Sequence, residues 1–112
     1  MNILLACNAG MSTSMLAEMM RAVSEKSKKD YNIWCIDIEK VKSEIEKCDI
    51  LLLAPQVIHT RKRLQKKFGN NVPIIMIPPK LYGTLDGEAV LKVTENEFDK
   101  FKLNQITNEK LD

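Results

Sequence analysis

A cysteine closing a short apolar run, followed by a glycine and three hydroxyl residues, is a set that can handle phosphate. The segment reads Cys7-Asn8-Ala9-Gly10-Met11-Ser12-Thr13-Ser14 and leads into Met15-Leu16. Cys7 is a candidate thiolate nucleophile. Gly10 supplies the positive-φ freedom that a tight anion-cradling loop needs. Ser12 is placed to cap a helix, and Ser12, Thr13 and Ser14 add hydroxyls at its start. Loop N–H groups and the helix dipole together make an anion site. A lone cysteine at a strand end is commonly just a small buried hydrophobe. The glycine and the Ser-Thr-Ser run at a helix start favour a nucleophile beside a phosphate pocket.

Such a loop must be held by a strand before it and a helix after it, and the sequence supplies both. Four short apolar runs recur, at Ile3–Ala6, Ile33–Ile36, Ile50–Ala54 and Ile74–Ile77. Each is continuously apolar rather than alternating, as in strands covered on both faces. Helical patterns lie between them. Met15, Leu16, Met19, Met20 and Val23 form the first stripe, and polar Ser24 to Asp30 ends it. Val41, Ile45 and Cys48 mark a short second helix. Val57, Ile58, Leu64 and Phe68 mark a third, stopped by Gly69-Asn70-Asn71. Val90, Leu91, Thr94, Phe98 and Phe101 mark the last. The expected fold is a single α/β domain, with a four-stranded parallel sheet in the order 2-1-3-4 and helices on both faces. Residues 1–102 form this domain, and 103–112 form a polar tail that frays. Ligands of such sheets sit at the carboxyl ends of the strands, near the switch in strand order, so the loop after the first strand is the place to look.

Composition narrows the role further. The chain has 112 residues and a net charge of +2, with 17 basic and 15 acidic residues. That balance does not suit a dedicated nucleic-acid binder. Aromatics are only 5%, too few for base-stacking platforms. No apolar run approaches the ~18–20 residues of a membrane span. The N-terminus lacks the basic region and apolar length of a signal peptide. Cys7, Cys35 and Cys48 include no CxxC pair, which points to free thiols in a reducing cytoplasm. Cys35 and Cys48 read as structural, and no His/Cys/Asp cluster suggests a metal or another cofactor. Met11, Met15, Met19 and Met20 read mainly as core, with Met11 a possible adaptable contact.

Three other places bear weighing. Gln56, just after the third apolar run, and Tyr82 with Gly83, after the fourth, fall on the same edge as Cys7; they are candidate supports or docking residues. His59, the single histidine, is more simply an exposed or capping residue than a base or second phosphate carrier. Arg61-Lys62-Arg63 with Lys66-Lys67 reads as a solvated helix face that could meet an acidic partner.

The octad from Cys7 to Ser14 resembles the phosphorylation loop of IIB components of the bacterial phosphotransferase system, in the lactose/cellobiose/chitobiose branch. Asp49-Ile50-Leu51-Leu52-Leu53-Ala54-Pro55-Gln56 resembles that branch's third strand and Pro-Gln turn, and Leu81-Tyr82-Gly83 with Asp86-Gly87 the turn before its last helix. Ala54 stands where many members have Gly, and residues 103–112 extend past the usual end. The resemblance implies a cytoplasmic phosphoryl carrier. An EIIA phosphohistidine would donate to Cys7, residues 8–14 would bind the phosphoryl oxygens through N–H groups, and a membrane EIIC permease would hold the accepting sugar. That sugar would be a beta-linked disaccharide such as cellobiose, chitobiose or lactose. Neither nucleic acid nor direct membrane insertion is implied.

The topology is similar to that of the low-molecular-weight tyrosine phosphatases, whose C-x5-R loop suggests a competing reading. Here Thr13 stands at the arginine's position, and the chain has no Asp-Pro pair to supply a general acid. Hydrolysis is therefore disfavoured. A non-catalytic IIB-like regulatory module that only binds at the loop is the remaining alternative.

Overall fold

The computed structural model describes residues 1–8 and 11–111. Strand β1 (Asn2–Cys7) leads to helix α1 (Met11–Lys26), then to β2 (Asn32–Asp37). A short helix α2 (Val41–Glu44) follows, flanked by 3-10 turns at Ile38–Lys40 and Ile45–Lys47. Next come β3 (Ile50–Leu53), a 3-10 segment (Pro55–Thr60), α3 (Arg61–Phe68) and β4 (Ile74–Met76). Helix α4 (Pro79–Gly83) and the long α5 (Gly87–Leu111) complete the chain.

All four strands are parallel, in the order β2-β1-β3-β4. β1 therefore lies between two neighbours, with Ile3 opposite Ile33 and Ile50, and Cys7 opposite Asp37. The ladder continues past the strands through Ala54 N to Ala6 O (2.9 Å) and Ile77 N to Leu53 O (2.8 Å).

Alternation along β1 splits the core into two layers. Ile3 and Leu5 face α1 and α5, meeting Leu16, Met20, Val90 and Leu91. Leu4 and Ala6 face the other side, with Val41, Ile45, Val57 and Leu64, and Cys7 at the strand's end packs in that same cluster. Ile3, Leu4, Leu5 and Ile50 to Leu53 are fully buried. Each such side chain stabilises the fold by roughly 1.5–3 kcal/mol, which explains why these segments carry no polar residue.

Several local expectations change. Met15 and Met19 are both 47% exposed rather than core. The buried stripe of α1 is Thr13, Leu16, Ala17, Met20 and Ser24, about one residue's rotation away. Ile58 likewise faces outward at 37% exposure. The second helix is one turn of α-helix, Val41–Glu44, between 3-10 turns at Ile38–Lys40 and Ile45–Lys47. The third begins only at Arg61, after Pro55 has started a 3-10 segment. Pro79 opens α4 at its first turn, where a missing N–H costs nothing. Helix α5 does not end at Phe101 but runs to Leu111, since no Gly or Pro follows Gly87. No helix among the described residues is long and apolar enough to cross a membrane.

Two junctions set how α5 meets the sheet. Asp86 Oδ1 accepts from Ala89 N (3.0 Å), capping the helix start. A Cβ on Gly87 would lie 2.7 Å from the Met19 carbonyl carbon and 2.8 Å from Met20 N. Glycine is what lets α5 begin against the backbone of α1.

Candidate functional site

Cys7 is the last residue of β1, at the carboxyl edge of the sheet's central pair, and is 3% exposed. Four residues later α1 begins at Met11. The first N–H groups of a helix have no partner within it, so the turn at Met11, Ser12 and Thr13 presents donors beside the strand end. Ser12 lies inside this first turn, not before it, and so is not the N-cap. Ala9 and Gly10, and the side chain of Met11, lie outside the described residues. Asn8, Ser12 and Ser14 are exposed, whereas Thr13 is fully buried.

Thr13 is tied to the far side of the edge. Its Oγ1 and the Tyr82 hydroxyl are hydrogen-bonded at 3.1 Å. Gln56 Nε2 donates to the same hydroxyl at 3.4 Å. Tyr82 thus joins the first turn of α1, the segment after β3 and α4. Residues distant in sequence, each singled out for its type, meet at one oxygen. Tyr82 also packs against both core layers, which fixes its ring.

The remaining candidates separate from this group. Gly83 ends α4, is exposed, and a Cβ there would meet nothing within 4 Å. His59 is exposed in the 3-10 segment. Cys48 lies at the opposite, amino end of the sheet and donates from Sγ to Ile45 O (3.1 Å). Burial, helped by Asp49, pushes its thiol up to about 12, so it stays protonated and inert. Cys35 is half-buried, with Sγ 3.4 Å from Ser14 Oγ. Asp37 was missed in the sequence. It stands beside Cys7 in the β1–β2 register, and its Oδ1 accepts from Glu39 N at 2.9 Å. Only the pairing register, not any motif, could have placed that carboxylate there.

The fold and edge define an α/β domain with a cysteine at the switch in strand order, ahead of a helix N-terminus. The family described as "PTS system, Lactose/Cellobiose specific IIB subunit" matches residues 2–93. The chain belongs to this family, whose place is in sugar phosphotransfer. It is 34% identical over 87 residues to the oligo-beta-mannoside-specific EIIB component of Bacillus subtilis, covering 77% of this chain and 84% of that one. It is 38% identical over 100 residues to the galactose-specific EIIB component of Lactococcus lactis subsp. cremoris, covering 84% and 93%. The solution structure of a cellobiose-specific IIB component from Borrelia burgdorferi superimposes with a TM-score of 0.75 at 37% identity, covering 89% of this chain and 93% of that one. A lactose-specific IIB domain from Streptococcus pneumoniae shares the fold, with a TM-score of 0.75 at 16% identity, covering 85% and 95%.

Proposed function

We propose that Cys7 is the phosphoryl carrier of a sugar phosphotransferase relay. The Cys7 thiolate attacks the phosphorus of a phosphohistidine on an EIIA protein. The P–N bond breaks, and its electron pair returns to the imidazole. A hydroxyl of a sugar held by an EIIC permease then attacks the phosphorus, the S–P bond breaks and the thiolate is restored. The hydroxyl proton leaves to a base or water on the acceptor side. The observation that carries this reading is the position of Cys7 at the end of β1, just ahead of α1.

A phosphocysteine carries up to about two negative charges, by analogy with phosphoserine. Each charge-assisted N–H bond to it contributes roughly 1.5–3 kcal/mol, and the helix terminus about 0.3–1 kcal/mol. Residues 8–14 supply those N–H groups without a metal. Gln56 and Tyr82 act behind them by fixing Thr13 and with it the first turn of α1. Gly83 borders this face, where it can contact a docked partner. A cysteine 3% exposed is reached by a donor docking over the loop, while bulk water has poor access. A phosphatase would place an arginine at position 13 to clamp the transferring phosphoryl. The buried Thr13 leaves no such group. The transported sugar is a beta-linked disaccharide, in line with the cellobiose- and oligo-beta-mannoside-specific relatives though not with the galactose-specific one, and the protein works in the cytoplasm beside its permease.

The test is incubation with phosphoenolpyruvate, the general phosphotransferase proteins and a cognate EIIA, followed by mass mapping of the phosphate. Phosphate on Cys7 supports the relay. Phosphate on His59, or none anywhere with Cys7 intact, overturns it.

A further inference from the structure

Helix α3 carries five basic residues and no acidic one in a chain whose net charge is only +2, so the rest of the chain is net negative. Arg61, Lys62, Arg63, Lys66 and Lys67 are all exposed. Among the described residues none of them is paired with a carboxylate, nor is Lys42 on the neighbouring α2. Instead the cations crowd one another: Lys42, then Arg63, push the Lys67 ammonium below its usual range. A chain that spends no carboxylate on such a cluster leaves it open to an external anion.

We infer that the outward face of α3, with Lys42, rests on the anionic phospholipid headgroups of a bilayer. Three features favour a lipid surface over an acidic protein. The five cations wrap most of an eight-residue helix and all are exposed. It has no exposed apolar anchor, since Leu64 is buried and Phe68 half-buried. It is mainly lysine, which is depleted in protein interfaces, where buried aromatic and arginine anchors carry the energy. Long, mobile ammonium groups suit a diffuse plane of phosphates. Helices α2 and α3 cover the sheet face opposite α1 and α5. With α3 flat on the bilayer, the strands run along it, and the Cys7 edge stands about one helix diameter, ~10 Å, above the headgroups. The edge and the outer face of α1 stay uncovered. The inference is independent of the phosphocysteine reading, because lipid binding needs no phosphate transfer.

The experiment is co-sedimentation of the full chain with phosphatidylcholine vesicles holding none or about 30 mol% phosphatidylglycerol. Binding is expected only to the anionic vesicles, and to vanish in about 1 M salt, where the screening length falls to about 3 Å. Each basic residue at such a surface raises partitioning roughly fivefold, so Lys62→Gln with Lys66→Gln and Lys67→Gln weakens it by about two orders of magnitude. These residues are exposed, so circular dichroism is expected to show the triple variant folded. An equal removal of charge on α5, by Lys92→Gln, Lys100→Gln and Lys102→Gln, leaves binding intact. Equal loss in both variants, or no dependence on phosphatidylglycerol, overturns the proposal. So does binding to poly-glutamate without binding to vesicles.

Discussion

The hydroxyls of Thr13 and Tyr82, 69 positions apart, meet at 3.1 Å, and through them the first turn of α1 is held against α4. The turn that follows Cys7 is therefore positioned by the carboxyl edge of β4 as well as by β1. Removing the Tyr82 oxygen cuts this link while keeping the ring and its packing. Tyr82→Phe is expected to cost about 1 kcal/mol of stability and to slow phosphate acceptance by Cys7 more than the stability loss explains. Stopped-flow transfer from phosphorylated EIIA, run beside a denaturant melt, measures both. Unchanged transfer at reduced stability would confine Tyr82 to a structural role.

Thr13→Val separates hydroxyl from backbone. Valine has nearly the same shape but is no hydrogen-bond partner, so the Tyr82 hydroxyl keeps only Gln56. A stability loss of about 1–2 kcal/mol is expected. If the N–H of Thr13, and not its side chain, faces the phosphate, the variant still accepts phosphate on Cys7. Complete loss of labelling in a folded variant would assign the hydroxyl itself to the phosphoryl group.

Much of this edge was legible in the sequence, for definable reasons. The strands were readable because Ile3–Ala6 and Ile50–Leu53 are unbroken apolar runs, which a parallel sheet covered on both faces requires. Strand alternation with helices then put Cys7, Gln56 and Tyr82 on one edge. What failed was finer. The apolar pattern runs the helical stripe of α1 through Met15 and Met19, whereas the buried one runs through Thr13, Leu16 and Met20, because methionine is adaptable enough to sit in solvent or core. Burial of Thr13 was invisible, since a threonine in a Ser-Thr-Ser run carries no mark of which way it faces. Asp37 came beside Cys7 only through register.

Gly87 makes a separate prediction. A methyl group there would lie under 3 Å from the backbone of Met19 and Met20, which cannot swing aside as a side chain can. Gly87→Ala is expected to push α5 off α1 and cost about 1–3 kcal/mol. Ala89→Gly, two positions along the same helix, serves as a comparison at roughly 0.5–1 kcal/mol. Equal losses from the two would mean that α5 approaches α1 less closely than the backbone contact requires.

Glu95 gives a pH dependence. Burial raises its carboxyl, but hydrogen bonds from Lys29 and Tyr31 outweigh that, and it sits below the usual carboxylate range. A carboxyl held down in the fold stabilises it above the unfolded value of about 4.3, and the contribution fades as pH falls through the folded value. Tyr31 behaves oppositely. Burial, then Glu95, push its phenol up to about 12, so its contribution lasts to about pH 10 and is lost above it. Glu95→Gln is expected to lower stability at neutral pH by about 1 kcal/mol and to flatten the fall in Tm between about pH 5 and 3. A Tm series with an unaltered acid slope would refute the assignment.

The end of α5 tests where the domain stops. Leu103 is 64% exposed and Ile106 50%, and the one tertiary hydrogen bond described beyond Lys102 is Gln105 Nε2 to Asn70 O, at 3.3 Å on the surface. An exposed bond of this kind contributes about 0.5–1.5 kcal/mol at most. Helix beyond the packed region gains little from tertiary contact, and its own propagation is marginal in water. Residues 1–102 are therefore expected to fold without the rest. Truncation after Lys102 should leave the denaturant midpoint nearly unchanged, with a loss of helical signal equal to about two turns. It should also leave Cys7 as competent as in the full chain, since Gln105 meets Asn70 ahead of the amino end of β4, whereas Cys7 stands at the carboxyl end of β1. A large midpoint shift would place the last turns of α5 within the cooperative fold and move the domain boundary to Leu111.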